Sequence, residues 1–303
     1  MGKVGYIENE MVEKIMEKYI YHYTSVDSVR KILTNKTIRL NRLDRVDDRT
    51  ESETFRGINL AKYLFVSSWT KENDENLSLW NEYTNNKKGI RIGLPEHMFK
   101  LKYVNANMYK NQMYNGIKLY GENYMILSPE EVFTDQYEIL PLFQSWNSFF
   151  IDVEYVNDIS SIKKYISEIS SSSDGITNIL LKENWLQKAV GIKNKIWHQQ
   201  NESRFVLVIF PSLSINKFGG YSNKFLTNEN IRYKANSILQ GKPLSIDYFD
   251  LDLNTDAINN IKITFGAFCS DEDKDEIISL AKNSCENPIF ENSILTNQLR
   301  QHI

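Results

Sequence analysis

The sequence is poor in the residues that carry metal and thiol chemistry. Its 303 residues include four histidines and two cysteines, Cys269 and Cys285, and neither cysteine has a second ligand at a metal-binding spacing. We therefore predict no metal site. Two isolated thiols in an acidic chain indicate a reducing compartment, the cytoplasm. No apolar stretch is long enough to cross a membrane, and Met1–Glu10 carries acids where a signal peptide has its apolar segment.

Excess charge and nucleotide-binding glycine loops are also missing. A net charge of −3 argues against a dominant basic face for duplex nucleic acid, although it leaves room for a local basic groove. No segment matches a Walker A loop, a Rossmann glycine fingerprint or a nucleophile elbow. With 41% hydrophobic and 25% charged residues, the chain has the composition of a globular protein.

Short strands and helices alternate irregularly along the chain. The patterns predict strands at Tyr19–Tyr23, Thr37–Asn41, Leu64–Trp69, Ile90–Leu94, Phe205–Phe210 and Ile261–Gly266. They predict helices at Glu8–Lys18, after Ser25, at Leu77–Tyr83 and after Ser270–Asp273. We expect an α+β fold with a mixed or antiparallel sheet. Residues 1–303 would form a single domain, with an inserted or elaborated segment at about 95–195 that is β-rich to Leu140 and helical from Ile159 to Ile196.

His22 and Thr24 are two residues apart on the first predicted strand, so their side chains share one face of it. An imidazole and a hydroxyl placed in this way can together bind a ribose diol. The alternative is a buried histidine beside an ordinary sheet threonine. Glu202 and Arg204 also share one face of a strand, and there the choice lies between a catalytic carboxylate and a buried ion pair that ties the sheet together.

Two further groups of residues could contact a ligand. Trp80 and Tyr83 are three residues apart on a predicted helix and could flank one pocket, although packing against the sheet is an alternative, especially for Trp80. An arginine series could bind a pyrophosphate or a nucleic-acid backbone, or could pair with the acids between its members. It comprises Arg39, Arg42, Arg45 and Arg49.

These segments together resemble, in order, the bacterial family known as domain of unknown function 2971. The segments are Tyr21–Ser25, Val46–Glu51, Phe65–Thr70, Leu79–Tyr83 with Gly89–Gly93, Trp197–Arg204 and Ile261–Gly266. Asp47 and Arg49 replace an Asn and a Pro of the family pattern, and Gln200 replaces the first of two acids. Glu202 is the acid that remains, so it is the candidate for an essential carboxylate.

That family is in turn similar to ADP-ribosyltransferases that carry His-x-Thr on their first strand. The resemblance implies a split sheet flanked by helices, with NAD as substrate and no metal. His22 and Thr24 would hold the adenine-side ribose, Tyr83 would stack on the nicotinamide, and Glu202 would bind the nicotinamide ribose. The candidate catalytic residues are thus Glu202, His22 and Tyr83. The candidates for binding NAD are His22, Tyr23, Thr24, Arg39, Arg49, Ser67, Ser68, Trp80, Tyr83 and Arg204.

The reaction implied is cleavage of the nicotinamide glycosidic bond, with transfer of ADP-ribose to a nucleic acid or a protein. Glu202 would stabilise positive charge on the ribose and could act as a general base, and we expect Glu202→Gln to preserve the fold and abolish activity. The resemblance also implies a toxin or anti-phage defence effector, with a possible antitoxin or regulatory partner. Two alternatives are a NAD glycohydrolase and a non-catalytic nucleotide-binding or sensor module, which the missing acid at Gln200 favours.

Overall fold

The computed structural model describes residues 18–52, 58–105, 113–114, 117–118, 122–140, 149–159, 167–171, 177–181, 183–214 and 228–299. Its first nine strands are β1 (Tyr19–Thr24), β2 (Thr37–Arg42), β3 (Leu64–Thr70), β4 (Ile90–Pro95), β5 (Lys102–Asn105), β6 (Met113–Tyr114), β7 (Ile117–Lys118), β8 (Glu122–Met125) and β9 (Tyr137–Ile139). The later strands are β10 (Phe150–Asp152), β11 (Glu154–Val156), β12 (Ser167–Ser171), β13 (Thr177–Leu181), β14 (Ile192–Asn194), β15 (Glu202–Pro211), β16 (Tyr248–Asp252), β17 (Lys262–Phe265) and β18 (Ile289–Asn292).

The helices in these ranges are mostly short. They are α1 (Val26–Asn35), α2 (Leu77–Tyr83), α3 (Pro129–Val132), α4 (Trp185–Val190), α5 (Asn228–Leu239), α6 (Thr255–Asn259) and α7 (Asp271–Ser284). Turns of 3-10 helix lie at Leu43–Arg45, Arg49–Ser52, Leu60–Tyr63 and Lys195–Gln200. No helix in the described ranges has the length and apolar character needed to cross a membrane.

A ten-stranded sheet forms the centre of the fold. Its main path runs β10-β15-β3-β1-β4-β17-β18, with β2 and β16 branching from β3 and with β9 added to β15. In this sheet β17 and β18 are parallel, and the other described pairs are antiparallel. The structure therefore confirms a mixed, largely antiparallel sheet with helices. An ADP-ribosyltransferase-like form of that fold stays a prediction.

The sheet divides along one edge of β3. The first edge of β3 pairs with β15 over its whole length, from Leu64 to Thr70. The second edge pairs with β2 at Phe65 and Val66 and with β1 at Thr70. Among the described strands, nothing pairs with Ser67–Trp69 on that second edge. The division leaves a cleft between β1 and β2, and β3 forms its floor.

Strand β15 is buried along its whole length of ten residues, as is the shorter strand β4. The apolar run Phe205–Phe210 predicts a central strand, and the structure confirms it. Phe205 packs on Phe150 with ring centroids 4.4 Å apart and on Phe99 with centroids 4.8 Å apart. The strand begins earlier than the apolar run, at Glu202, so that a charged residue starts a buried strand.

The predicted helix starts are confirmed at both ends of the chain. Ser25 accepts a hydrogen bond from the backbone N–H of Ser28 at 3.1 Å and begins α1. Ser270 accepts one from the N–H of Asp273 at 3.1 Å and begins α7. A short polar side chain that satisfies an unpaired N–H at a helix start is the reason these residues favour such positions. The predicted helix Glu8–Lys18 lies outside the described residues, apart from Lys18.

The prediction of a helical segment from Ile159 to Ile196 is wrong for most of the residues that the structure describes. Ser167–Ser171 and Thr177–Leu181 form an antiparallel pair of strands in which Ile169 lies opposite Ile179. The apolar spacing that predicts two helix faces fits a hairpin equally well, because short apolar patterns do not separate the two periods. Among the described residues from 159 to 196, α-helix is found at α4, and the described residues from 95 to 140 contain β5 to β9.

Candidate functional site

The cleft between β1 and β2 contains a cavity of about 370 Å³. This lies within the size range of small-molecule sites. Several of the predicted ligand-binding residues line it: His22, Tyr23, Thr24, Arg39, Ser67, Ser68, Tyr83 and Glu202. The sequence thus predicts much of the cavity wall, although the side chain of Arg49 lies outside what the structure describes.

His22 is held in one tautomer by the sheet. Its Nδ1 lies 2.8 Å from the carbonyl oxygen of Ser68. A carbonyl oxygen only accepts, so Nδ1 carries the proton and Nε2 of the neutral ring is an acceptor. Burial lowers the pKa of His22, against a smaller effect of the bond to Ser68, which keeps the ring neutral. A neutral His22 therefore presents a hydrogen-bond acceptor to a ligand hydroxyl, with Thr24 two residues along the same strand.

Trp80, a predicted ligand-binding residue, lines neither of the two cavities described here. The Trp80 side chain is fully buried and packs edge-on against Tyr23, with ring centroids 5.0 Å apart. Its Nε1 donates to a carboxylate oxygen of Glu75 at 2.8 Å. Trp80 therefore supports the strand beneath the cavity and does not line it, which is the packing alternative.

A second cavity of about 280 Å³ adjoins the first, and we call the two the larger lobe and the smaller lobe. Five residues line both lobes, and they define the junction between them: Asn41, Val46, Ser68, Tyr83 and Glu202. The rest of the smaller lobe is formed by Arg45, Asp47, Asp48, Lys193, Trp197 and Arg204. The two lobes therefore share a wall that contains Glu202 and Tyr83, the carboxylate and the tyrosine that the sequence proposes as catalytic.

Within the described residues, Glu202 belongs to a buried cluster of four charges, the charge cluster, formed by Glu51, Lys193, Glu202 and Arg204. Nε of Arg204 lies 2.6 Å from Oε1 of Glu202, and a second guanidinium nitrogen of Arg204 lies 2.9 Å from Glu51. Nζ of Lys193 lies 3.2 Å from Glu202 and 3.3 Å from Glu51. The four side chains are 1% to 6% exposed. The two positive and two negative charges balance.

The charge cluster keeps Glu202 ionised. Burial alone raises the pKa of the Glu202 carboxyl, but the charges of Arg204 and Lys193 outweigh it and hold that pKa well below its usual range. Burial lowers the pKa of Arg204, and the two carboxylates raise it well above its ordinary value. A carboxylate with such a low pKa is a weak general base at neutral pH. The structure thus favours the electrostatic role of Glu202 over the predicted proton-accepting one.

Arg204 was predicted both as a ligand contact and as an ion-pair partner, and the structure supports the second. Its guanidinium group donates to Glu202, to Glu51 and, at 2.9 Å, to the carbonyl oxygen of Val190. The side chain is 1% exposed. Because its donors are occupied by protein, Arg204 fixes Glu202 and does not bind a ligand itself.

Gln200 connects Tyr83 to the charge cluster. Its Oε1 accepts from Nζ of Lys193 at 2.7 Å, and its Nε2 donates to the hydroxyl of Tyr83 and to Glu82, each at 2.9 Å. An amide can accept and donate in this way, whereas a carboxylate would face Glu82 with a like charge. A glutamine at position 200, where the resemblance would place an acid, therefore lets one side chain bond Lys193, Tyr83 and Glu82 together.

Tyr83 is left with a proton that it can donate. Burial raises the pKa of Tyr83 above its ordinary value, and the nearby charges of Glu202 and Glu82 raise it further, so the phenol stays protonated. Its oxygen accepts from Gln200. Within the described part of the chain its O–H has no acceptor, so this donor is available to a ligand at the junction of the lobes.

Most of the described arginine series is paired with acids. Arg39 makes two bonds to Asp250, at 2.8 and 2.9 Å, and its guanidinium lies 3.5 Å from the ring centroid of Tyr248. Arg42 pairs with Asp44 at 2.6 Å, and Arg45 lies 2.7 Å from Asp247. Arg39 still lines the larger lobe, but its head group is not free for a pyrophosphate. The predicted pairing with an acid inside the series is confirmed for Arg42, whereas the partner of Arg45 is the distant Asp247.

Comparison with known proteins adds no identity. No protein-family model matches the chain, and no curated protein or solved structure matches it. The resemblance to domain of unknown function 2971 and to ADP-ribosyltransferases therefore stays a prediction. Within the residues described, no group of three His, Cys, Asp or Glu side chains is arranged to hold a metal ion.

The sequence gives no functional role to Glu51, Gln200 or Lys193, which the structure brings together with Glu202 and Tyr83. Glu51 is only the last residue of the segment Val46–Glu51, Gln200 is only the replacement of an acid, and Lys193 lies in no predicted motif. The segment Val46–Glu51, which belongs to the family pattern, was the available signal for Glu51. Lys193 lies on β14, outside every segment of the resemblance, so only the fold brings it to Glu202.

Proposed function

We propose that the two-lobed cleft binds NAD and that the protein transfers ADP-ribose from it to a macromolecule. The observation that carries the proposal is the position of Glu202 and Tyr83 at the junction of the two lobes, with His22 and Thr24 in the larger one. Two joined cavities suit a ligand made of two nucleoside halves. A carboxylate at their junction can stabilise the positive charge that forms on the ribose when the nicotinamide glycosidic bond breaks.

Each residue has a separate part in the proposed reaction. Nε2 of His22 and the hydroxyl of Thr24 hold the adenine-side ribose diol. Tyr83 stacks on the nicotinamide and donates its O–H to the ligand. As nicotinamide leaves, positive charge builds on the ribose, and the ionised carboxylate of Glu202 stabilises it. Lys193 and Arg204 keep that carboxylate charged and fixed, which spares the cost of reorganisation during the reaction.

The biological setting is part of the proposal and rests on the resemblance alone. ADP-ribose would pass to a nucleic acid or a protein in the cytoplasm. The protein would act as a toxin or anti-phage effector, with an antitoxin or regulatory partner to restrain it. If water is the acceptor, the same site makes the protein a NAD glycohydrolase.

A second function is favoured by one specific observation. Lys193 and Arg204 form close ion pairs with Glu202, at 3.2 and 2.6 Å. Their positive charges reduce the electrostatic stabilisation that the carboxylate can give to positive charge on the ribose. The same geometry would serve a non-catalytic module that senses a nucleotide. Such a module binds NAD in the same lobes without releasing nicotinamide.

The test is nicotinamide release from NAD, measured with and without cell lysate. The variants are Tyr83→Phe, His22→Gln and Glu202→Gln, with Glu276→Gln as a control because it removes an exposed carboxylate paired with Arg30 on the molecular surface. We expect release by the parent and by the control and a loss of release in the other three. NAD that raises the Tm of the parent without nicotinamide release would establish the sensor. If the parent neither releases nicotinamide nor gains Tm with NAD, both proposed functions are contradicted.

A further inference from the structure

The smaller lobe has an uncompensated negative charge. Its three cations are already paired: Lys193 and Arg204 belong to the neutral charge cluster, and Arg45 lies 2.7 Å from Asp247. The lobe also contains Asp47, which is exposed, and Asp48, which is 7% exposed. In the part of the chain that the structure describes, neither aspartate forms a salt bridge. Two carboxylates therefore remain without a partner cation in the lobe.

Asp48 shows a second, independent sign of a missing partner. Its Oδ1 accepts from the backbone N–H of Thr50 at 2.9 Å and from the hydroxyl of Thr50 at 2.7 Å. Its Oδ2 is buried and has no hydrogen-bond partner among the residues that the structure describes. A buried carboxylate oxygen without a donor costs free energy, and proteins keep such atoms mainly where a ligand or a reaction uses them.

We propose that the smaller lobe is a subsite for a planar organic cation that carries N–H donors, with Asp48 as its anchor. The aromatic ring of Tyr83 in the same wall adds a favourable face for a cation, whereas the ring of Trp197 already has Nζ of Lys193 at 5.1 Å from its centroid. Asp47 lies in the lobe as a second, exposed carboxylate. The role of this subsite in a reaction rests on the proposed function. The negative charge of the smaller lobe does not depend on that function.

Two sources share this chemistry. The first is NAD itself, whose pyridinium ring is positively charged and bears a carboxamide. The second is the basic side chain of a protein acceptor, presented to the junction where Glu202 lies. Both bring an N–H donor and a positive charge to the same carboxylates, and matched small probes separate them.

The experiment measures equilibrium binding of two charged and neutral probe pairs by calorimetry. The first pair is 1-methylnicotinamide and neutral nicotinamide, and the second is butylguanidine and neutral butylurea. Charge-assisted hydrogen bonds are about twice as strong as neutral ones, so we expect at least one cation to bind the parent about tenfold tighter than its neutral counterpart. Discrimination in the first pair assigns the lobe to NAD, and discrimination in the second assigns it to the acceptor.

Asp48→Asn is a sharp variant because asparagine keeps the Oδ1 acceptor for Thr50 and removes only the charge. We expect it to abolish the tenfold preference, with a Tm at or above that of the parent because a buried charge without a partner cation is gone. Asp275→Asn, which removes an exposed acid from α7, is the control and keeps the preference. If Asp48→Asn does not fold, Asp47→Asn replaces it, with a partial loss of the preference expected.

Equal binding of charged and neutral probes by the parent overturns the inference, and so does a preference that survives in Asp48→Asn. These outcomes are independent of NAD turnover. A protein that releases nicotinamide but shows no preference for cations keeps the proposed function and loses the subsite. A protein that prefers cations but does not bind NAD keeps the subsite and loses the proposed function.

Discussion

Replacing Glu202 by glutamine should disturb the fold as well as the reaction. The substitution leaves Lys193 and Arg204 with Glu51 as the only carboxylate, so a cluster that is 1% to 6% exposed carries a net charge of +1. Removing one partner of a buried ion pair costs about 3–5 kcal/mol. The structure therefore revises the expectation, drawn from sequence, that Glu202→Gln preserves the fold without penalty.

The size of the effect on Tm follows from the length of the chain. Unfolding entropy is about 2.1 cal/mol/K per residue, which gives about 0.6 kcal/mol/K for 303 residues. A loss of about 3–5 kcal/mol then lowers Tm by about 5–8 °C. Circular dichroism during heating measures this shift, and urea unfolding measures the free energy of unfolding.

A double variant tests the cause. Adding Lys193→Gln to Glu202→Gln restores electroneutrality, because Glu51 and Arg204 remain as a pair. We expect the double variant to be more stable than the sum of the two single effects predicts, by about 1–3 kcal/mol. Additive effects within about 0.5 kcal/mol would refute the reasoning, because the charges would then not act as a unit.

The pH dependence has a definite sign. The folded-state pKa of Glu202 is lowered, so its ionisation stabilises the fold fully above the pKa of an unfolded glutamate, about 4.3. That contribution is lost as the pH falls from there toward the folded-state pKa. The stability difference between the parent and Glu202→Gln should therefore narrow below about pH 4, and a constant difference would count against the assignment.

Three further predictions concern the ligand side of the cleft. Because burial lowers the pKa of His22, NAD affinity measured by calorimetry should be constant above about pH 6.5 and fall at lower pH as protonation removes the Nε2 acceptor, whereas His22→Gln should bind weakly at every pH. Tyr83→Phe should weaken NAD binding about fivefold to tenfold through the lost O–H donor, with a Tm within about 2 °C of the parent's. Gln200→Glu should destabilise the protein by about 1–3 kcal/mol at neutral pH in urea unfolding, because a carboxylate there faces Glu82, and the loss should shrink in acid.

Each of these has a contrary outcome. A rise in NAD affinity in acid would mean that His22 acts as a donor. Unchanged binding by Tyr83→Phe would place the tyrosine hydroxyl away from the ligand. A Gln200→Glu variant as stable as the parent would show that a carboxylate at this position is not destabilised by Glu82.

The sequence predicts the parts of this protein that are determined locally. Helix α2 matches its predicted bounds, Leu77–Tyr83, and Asn76 caps it by accepting from two backbone N–H groups. The continuous apolar run Phe205–Phe210 predicts a central strand because both faces of such a strand must be buried. The same local reasoning fails at Ser167–Leu181, where serine and isoleucine spacing fits either a helix or a hairpin.

The charge cluster lies beyond local reasoning. Glu51 and Arg204 are 153 residues apart in the sequence and meet only because the loop after β2 folds over the end of β15. The two-residue spacing in the sequence places Glu202 and Arg204 on one face of the strand, and it correctly predicts their ion pair. It does not give the second acid or Lys193, because the partner of a buried charge is chosen by tertiary structure.

The electroneutral charge cluster also constrains how this protein can evolve. A single change at Glu51, Lys193, Glu202 or Arg204 leaves one buried charge without compensation, so such a change is disfavoured even where catalysis is not needed. Relatives should therefore keep all four residues or lose an acid and a base together. A lineage that has given up the reaction would show this paired replacement, and sequence variation at the four positions would then record which members retain an active site.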